Sequence, residues 1–236
     1  MKKLRFLALA AMAAFAVSVS AQVTYGNDYQ YKPTSGTLYG ADNESFGLFY
    51  AQYNLTTAHT TVTNHDSENT SLNGVTLGYS HFIPLGDIPL FLSVGAAAQW
   101  FFKSEGSKSD ILSAKINMIS AKIPLNLMYS FQVSDNFRIE PYAGIYGRVN
   151  IWGQAKTTVG SNSVNVNILS SDDFGDAAFK RFQLGWNAGV QFRITEAFTI
   201  GAGYFMDLMK LQNYSSGKHD VKTNFQGFDF TLGINL

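Results

Sequence analysis

Alternation of apolar with polar or small residues is the feature that most constrains how this chain folds. In residues 228–236 every second residue is apolar, and the residues between them are polar or glycine. The apolar set is Phe228, Phe230, Leu232, Ile234 and Leu236, and the other set is Asp229, Thr231, Gly233 and Asn235. A period of two indicates a β-strand whose two faces meet different surroundings.

The same alternation recurs in seven earlier segments, so the sequence predicts about eight strands. Their alternating parts are 45–57, which is the least regular, 75–80, 90–102, 119–131, 137–151, 182–194 and 198–208. With their flanks these segments are roughly 13 to 18 residues long, whereas a tilted strand needs about 9 to 11 residues to cross a bilayer. Strands of soluble proteins average only about 5 to 6 residues. The segments are therefore long enough to span a membrane.

The connections between the segments alternate between short and long. Tight turns are expected at 84–87, 133–136 and 195–197, where Gly, Asp and Asn suit turn geometry. Longer polar loops are expected at 59–70, 104–110, 153–180 and 213–221. Short turns on one side and long loops on the other are typical of outer-membrane barrels with both termini in the periplasm. We predict an all-β fold, a closed antiparallel up-and-down transmembrane β-barrel of about eight strands.

The first residues predict export. Lys2, Lys3 and Arg5 precede an apolar run at 6–17, and Val19 and Ala21 supply the small residues of a signal-peptidase site. The run is shorter than the roughly 20 residues of a membrane-spanning helix. We expect a cleaved signal peptide at 1–21, a short periplasmic segment at 22–44 and the barrel at 45–236.

Composition agrees with an envelope protein and excludes several kinds of chemistry. The chain has no cysteine, which excludes disulfides, thiol catalysis and cysteine-bound metal. After the signal it carries 14 basic and 17 acidic residues, which gives no electrostatic case for nucleic acid. Charged residues make up 14% of the chain, where a soluble domain has about a quarter. This scarcity disfavours the soluble alternative, a lipocalin-like barrel or β-sandwich.

Several charged residues fall on the face opposite the apolar one, which is the barrel interior. They are Lys122, Arg138, Glu140, Arg148, Arg193, Asp207 and Asp229. An eight-stranded barrel is filled by its own side chains, so interior charges must pair or stay hydrated. We predict a cross-lumen ion network of Lys122, Arg148, Asp207 and Asp229 that closes the middle of the barrel. Coupling is expected between Lys122 and Asp207 and between Arg148 and Asp229. The alternative is that each charge is separately hydrated in a wet lumen.

Four stretches resemble the PorT-like outer-membrane β-barrel family of Bacteroidetes. They are Lys-Ile-Pro-Leu-Asn-Leu-Met-Tyr at 122–129, Pro-Tyr-Ala-Gly at 141–144, Gly-Trp-Asn-Ala-Gly-Val-Gln-Phe at 185–192 and Leu-Gly-Ile-Asn-Leu at 232–236. The resemblance covers most of the chain from about Phe46 and implies a membrane barrel, with a link to envelope or secretion assemblies through one member. The last residue, Leu236, differs from the aromatic residue that often ends such barrels and is used by the insertion machinery. The nearby aromatic residues Phe228 and Phe230 are compatible with insertion.

No residue pattern predicts a catalytic, cofactor or metal site. His59 and His65 fall in a loop rich in Thr, Asn and Ser, and His219 adjoins Asp220 in another loop. His81 lies on the outward face at a strand end. Asp172, Asp173 and Asp176 do not have the spacing of a calcium loop. A barrel-borne lipid hydrolase or acyltransferase needs a nucleophile activated by a base near the outer leaflet, and the sequence shows no such set.

The sequence therefore favours a structural or interaction barrel that contacts a partner through exposed loops, chiefly 153–180. A narrow channel for small solutes is the alternative, and a lipid-modifying enzyme is the third and least favoured hypothesis. Matched interior charges and the bulky inward residues Phe91, Tyr142, Tyr146 and Phe205 favour a plugged lumen, whereas a ring of one sign would favour a pore. Expected partners are outer-membrane lipid and lipopolysaccharide, the barrel-insertion machinery and an envelope or secretion protein; no cofactor is expected.

Overall fold

A computed structural model describes residues 44–62, 68–106, 112–159, 162–170, 179–216 and 219–236. The expected signal peptide and nearly all of the expected periplasmic segment lie outside the described residues. The described part contains eleven strands: β1 Phe46–Val62, β2 Glu68–Pro84, β3 Leu90–Gly106, β4 Leu112–Tyr129, β5 Phe131–Ser134, β6 Phe137–Val159, β7 Asn162–Asn167, β8 Phe182–Ile194, β9 Phe198–Asp207, β10 Gln212–Ser216 and β11 His219–Asn235. None of the described residues belongs to a helix long and apolar enough to cross a membrane.

Eight of these strands form a closed antiparallel ring. Their order is β1, β2, β3, β4, β6, β8, β9 and β11, and β11 pairs back onto β1. The closing register places Ala51 beside Leu232 and runs from Leu48 to Val62 on β1. Closure removes every free edge at the level of the ring, which a barrel needs in lipid. The predicted eight-stranded barrel is confirmed.

Short connections and the two described chain ends lie at one end of the barrel, which we call the turn end. Gly86 has a φ of 77° in the β2–β3 turn, where glycine meets no steric penalty. The backbones of Gly47 and Leu236 exchange hydrogen bonds of 3.1 and 2.9 Å between nitrogen and oxygen. These two bonds fix both ends of the described chain to the same rim.

At the opposite end, the loop end, the strands are longer than the alternation predicts. The expected loop at 59–70 is largely strand, because β1 continues to Val62 and β2 starts at Glu68. The expected loop at 153–180 is also partly wrong, because β6 continues to Val159 and β7 folds back onto it. Backbone hydrogen bonds hold these extensions, and they do not require apolar side chains. These extensions are mostly polar, and they carry too little apolar alternation to be predicted as strands.

The β4–β6 pairing has a bulge next to Ile119 and Ser120. Between the bulge and the loop end, the odd residues of β6 face inward in place of the even ones. Below the bulge the even residues of β6 face inward, as buried Arg148 and Asn150 do. Above it Trp152 faces outward and Gly153 is buried. One extra residue on one strand shifts the period of two, and simple parity misses this shift.

The outer face is a continuous apolar belt. Its exposed members include Leu55, Leu77, Ile123, Leu127, Ile145, Val149, Ile200, Leu232 and Ile234. Aromatic pairs gather at its margins, with Phe49–Tyr79, Tyr129–Phe131 and Phe137–Phe192 towards the turn end, and Trp100–Phe102, Trp186–Tyr204 and Tyr204–Phe228 towards the loop end. An apolar belt between two aromatic girdles is the lipid-facing surface of a membrane barrel.

Candidate functional site: the charged lumen

Arg148 and Asp207 form a buried ion pair in the loop-side half of the lumen. Arg148 Nη2 donates to Asp207 Oδ2, and the Tyr146 hydroxyl donates to Asp207 Oδ1 at 2.6 Å. Both charged residues are about 1% exposed. A charge buried this deeply needs a hydrogen-bonded partner of opposite sign, and here the carboxylate receives two donors.

Gly185 makes this contact possible. Arg148 on β6 and Asp207 on β9 are separated by β8, and Gly185 on β8 pairs with both Tyr146 and Asp207. A Cβ at position 185 would collide with the ring carbon Cζ and the hydroxyl of Tyr146. The missing side chain therefore lets the Tyr146 ring cross β8 and lets its hydroxyl reach Asp207.

Lys122 lies beside this pair without joining it directly. It pairs with Arg148 in the β4–β6 register, and its Nζ lies 4.3 Å from the centre of the Tyr146 ring and 5.6 Å from that of Phe205. An ammonium over an aromatic face gains a cation–π attraction. Aromatic faces thus supply part of the surroundings of the buried Lys122 charge.

Asp229 is anchored on the opposite wall by an amide. Asn54 Nδ2 donates to Asp229 Oδ1, and Asn54 Oδ1 accepts a hydrogen bond from Thr76 Oγ1 at 2.7 Å. Asn54, Thr76 and Asp229 come from β1, β2 and β11, so the chain of bonds crosses the seam where the barrel closes. Asp229 and Lys122 line one cavity between them.

The pairs formed by these four charged residues differ from the pairs predicted from the alternation of the strands. The structure brings Arg148, and not Lys122, into contact with Asp207, while Asp229 bonds to Asn54. Asn54 and Gln99, whose Nε2 lies 3.4 Å from Asn54 Oδ1, were not among the predicted site residues. The inward parity of Asn54 on β1 was the available signal, but the alternation of that strand is weak.

The other predicted charges lie at the turn end. Arg193 and Glu140 form an ion pair of 2.6 Å between Nη2 and Oε1, and Ser130 Oγ donates to the same carboxylate oxygen at 3.0 Å. The Arg193 guanidinium lies 3.7 Å from the centre of the Phe46 ring. Arg138 is half-buried and sits opposite Arg193 in the β6–β8 register. These charges form a second cluster, distinct from the one around Asp207.

Two clusters of buried apolar side chains lie in the lumen, one on either side of the middle. Near the turn end Leu48, Phe82, Phe91 and Met128 pack together, and Phe46 stacks on Phe82 with ring centres 4.4 Å apart. Towards the loop end a second cluster contains Ala58, Leu72, Phe101, Met118, Tyr146, Phe205, Leu211 and Phe225. The Arg148 guanidinium lies 5.3 and 5.4 Å from the centres of the Phe101 and Phe225 rings. The bulky side chains predicted to face inward lie in these layers.

A small polar cavity remains between the turn-end layer and the charged layer. Its volume is about 40 Å³, and Lys122, Asp229, Asn126 and Asn187 are among its lining residues. The side-chain oxygens of Asn126 and Asn187 receive no hydrogen bond from the described residues. One water needs roughly 10 to 15 Å³ of such volume. The cavity therefore has room for a few waters, and a sugar or nucleotide does not fit.

The histidines and the acidic loop cluster add no second site among the described residues. His59 Nδ1 lies 2.7 Å from the amide oxygen of Asn69, and His81 Nδ1 lies 3.5 Å from the Tyr79 hydroxyl. His65, Asp172, Asp173 and Asp176 lie outside the described residues, as does the side chain of His219. No group of three metal-ligating side chains occurs in the part of the chain that the structure describes.

Comparisons with known proteins place the chain in a family. The family model of the outer membrane protein beta-barrel domain matches residues 7–235. Among solved structures, the attachment invasion locus protein Ail of Yersinia pestis is similar over 78% of this chain and 98% of its own, with 13% identity and a TM-score of 0.36.

Two further structures show the same level of similarity. Neisserial surface protein A is similar over 79% of this chain and 96% of its own, with 16% identity and a TM-score of 0.41. The outer membrane enzyme PagL is similar over 77% and 98%, with 14% identity and a TM-score of 0.36. A search of curated protein sequences gives no significant match. On the family match, this chain belongs to the outer membrane protein beta-barrel domain family and is an outer-membrane protein.

Proposed function

We propose that this protein is an interaction scaffold of the outer membrane, with a plugged lumen and a loop end that binds a partner. The observation that carries the proposal is the filling of the lumen around the buried Arg148–Asp207 pair, with an apolar layer on each side of the middle. Filling of this kind favours a function at the exposed ends of the barrel over transport through it. The long polar strands at the loop end provide such a surface.

The balance of interior charge also favours the scaffold over a narrow channel. Ion-selective pores carry a ring of charges of one sign that face water. Here Arg148 is paired with Asp207 and Arg193 with Glu140, and all four side chains are at most about 10% exposed. Charges that are paired and buried favour a plugged lumen over an ion-selective pore.

Planar-bilayer recording tests the proposal. The refolded protein, inserted into the bilayer, is expected to give no discrete conductance steps in salt of about 1 M. The two apolar clusters in the lumen are expected to interrupt any continuous path of water. Heat-modifiable migration on a gel, measured on the same preparation, controls for folding. Reproducible open-channel steps from the folded protein would overturn the scaffold in favour of the channel.

The proposal includes an orientation, with the turn end in the periplasm and the loop end outside the cell. In outer-membrane barrels short turns are periplasmic and long connections extracellular. The partners proposed on this basis are lipopolysaccharide around the loop-side girdle, the barrel-insertion machinery, and an envelope or secretion protein. The resemblance of 122–129 and 185–192 to the PorT-like barrels of Bacteroidetes supports the last of these.

Cysteine labelling on intact cells tests this orientation. The natural chain has no cysteine, and Ser134 at the turn end and Ser163 at the loop end are both exposed. In the single variants Ser134→Cys and Ser163→Cys, a membrane-impermeant maleimide is expected to label only the second. Ser134→Cys should react after the outer membrane is permeabilised. The reverse pattern would mean that the barrel is inserted the other way.

The proposed scaffold has no catalytic role. A barrel-borne lipid hydrolase needs a nucleophile whose base is oriented by a third group. Among the described residues, the His59 side chain bonds to the amide of Asn69 and the hydroxyl of Thr61, and neither is an acid. Incubation of the folded protein with lipopolysaccharide, followed by mass spectrometry of lipid A, tests this point; loss of an acyl chain would contradict it.

A further inference from the structure

On the outer wall formed by β2, β1, β11 and β9, apolar side chains give way to polar ones at one level. Leu55 is the last apolar outward residue of β1, and its register partners are Asn73 and Phe228. The next outward row towards the loop end consists of Ser71, Thr57 and Gln226. This level is therefore the loop-side margin of the apolar belt, where a membrane barrel passes from hydrocarbon to headgroups.

A depression of about 330 Å³, which we call the margin pocket, lies in the wall at this level. Its floor is backbone, because the side chains of Thr56 and Leu72 are buried on the inward face and position 227 is glycine. Its sides are the outward side chains of Leu55, Thr57, Ser71, Asn73, Tyr204, Gln226 and Phe228. Sites for small ligands start at roughly 300 Å³, so the margin pocket is large enough for a small headgroup.

The lining of the margin pocket combines hydrogen-bonding groups with aromatic rings, and none of these described lining residues is charged. The Tyr204 hydroxyl donates to Gln226 Oε1 at 3.2 Å, so the two N–H groups of that amide take no part in the bond. The Tyr204 and Phe228 rings lie 5.3 Å apart. Amides and hydroxyls bind the hydroxyls of a sugar, and aromatic rings pack against its C–H groups. A phosphate would instead need a cationic partner.

An apolar groove of about 660 Å³ follows on the turn-end side of the margin pocket. Two small outward residues, Ala51 and Ala202, deepen it between the larger side chains of Tyr53, Phe230 and Leu232. The groove lies within the lipid-facing belt, and a lipid chain that fills it gains van der Waals contact on several sides.

The spacing of the margin pocket and the groove matches one leaflet of a bilayer. Thr57 and Ala51 are six residues apart on β1, which is about 20 Å at the rise of a strand. With a strand tilt of about 40°, this corresponds to roughly 15 Å along the membrane normal, or half of the hydrocarbon core. A lipid whose head lies in the margin pocket therefore has the groove at the depth of its acyl chains.

We propose that the margin pocket and the apolar groove bind one glycolipid of the outer leaflet, with a neutral sugar in the pocket and an acyl chain in the groove. The groove is continuous with the lipid-facing belt, so its occupant comes from the membrane. The uncharged pocket selects a sugar over a phosphate headgroup. The inference rests on the proposed orientation, which puts the loop end in the outer leaflet, and it names a lipid partner of that surface.

A second copy of this chain is the rival occupant of the wall. A two-fold axis along the membrane normal would bring the same residues of the two copies together at the same depth. Pocket would then face pocket and groove would face groove, and the voids between them would lack packing contacts. A flexible acyl chain fills such a hollow, so its shape favours lipid.

A single thiol tests the rival. The natural chain has no cysteine, so Thr57→Cys places one thiol at the margin pocket. After oxidation of membranes that contain this variant, a non-reducing gel is expected to show the monomer. A disulfide-linked dimer would mean that a second copy covers the wall, and the proposal would be wrong.

Lipid titration tests the headgroup chemistry. The mature chain is placed in phosphatidylcholine nanodiscs, and NMR follows the side-chain amides of Asn73 and Gln226. Monogalactosyl diacylglycerol is expected to give saturable shifts and to bind at least about tenfold more tightly than phosphatidylglycerol with the same acyl chains. Equal binding of the two lipids, or no saturable shift with the galactolipid, would overturn the site.

A matched pair of variants locates the binding. Thr57→Trp fills the margin pocket and is expected to weaken galactolipid binding at least about tenfold. Thr61→Trp adds the same ring on the same strand, further towards the loop end, and should bind within about twofold of the natural chain. Heat-modifiable migration on a gel confirms that both variants are folded. Equal losses in the two variants would mean that the lipid does not bind in the pocket.

The outcomes separate this inference from the orientation on which it rests. Both leaflets of the nanodisc have the same composition, so galactolipid binding does not depend on which way the barrel is inserted. A failure to bind would overturn the site and leave the orientation and the scaffold as they are. Labelling of Ser134→Cys alone on intact cells would reverse the orientation, and the outer-leaflet site would be wrong even if the galactolipid binds.

Discussion

Replacement of Asp207 by asparagine is expected to reduce the free energy of unfolding by about 3 to 5 kcal/mol, because it leaves the buried Arg148 guanidinium without a counter-charge. Arg148 is about 1% exposed and contacts Phe101 and Phe225 rings, so water cannot replace the lost carboxylate. Asparagine keeps the size and one acceptor for the Tyr146 hydroxyl. The loss therefore reports the charge and not a cavity. Denaturant titrations of the refolding in lipid vesicles measure it.

A double-mutant cycle isolates the pair. Arg148→Gln and Asp207→Asn together should cost less than the sum of the single changes, with a coupling of about 1.5 kcal/mol or more, because the double variant contains no unpaired charge. A cycle on Lys122→Gln and Asp207→Asn is the control. Lys122 makes no ion pair with Asp207 in the structure, so its coupling should be smaller. Equal couplings in both cycles would mean that charge is shared across the lumen without a specific pair.

The faces of the strands were predictable from sequence, and the contacts between side chains were not. With a period of two, Arg148 and Asp207 lie on the inward face of their strands, because the residues directly before and after each of them lie on the outward face. Which interior charges meet depends on the stagger of the strands and on the space beside them. Gly185 supplies that space for Tyr146 and Asp207, and its role is visible only once β6, β8 and β9 are in register.

The loop end was less predictable for a different reason. Apolar alternation arises where one face of a strand meets lipid, and beyond the belt both faces meet polar surroundings. The sequence Asn-Ser-Val-Asn-Val-Asn of β7 alternates over only five residues, from Ser163 to Asn167, and is mostly polar, so it resembles loop composition. The expected loop at 153–180 was assigned on that composition. Its pairing with β6 depends on backbone bonds that side-chain patterns do not record.

Arginine in place of Leu232 is expected to reduce the free energy of unfolding by about 2 to 4 kcal/mol, the cost of a basic side chain near the bilayer midplane. Leu232 is 66% exposed on the outer face of β11. It lies between Ala51 of β1 and Ile200 of β9, between the two aromatic girdles. Its two register partners carry no charge, so the guanidinium would have to reach the interface or draw water into the belt.

Thr61→Arg is the matched control, because Thr61 is exposed on β1 and lies beyond the last apolar outward residue of that strand, Leu55. An arginine there meets water and should cost less than about 1 kcal/mol, since the penalty falls to nearly zero at the interfaces. Both variants are measured by the same refolding titration in vesicles. The difference between them reports chiefly depth in the membrane, because the introduced arginine and its outward direction are the same. If the two arginines cost the same, the apolar belt does not face lipid, and the barrel is positioned in the membrane differently from what its girdles indicate.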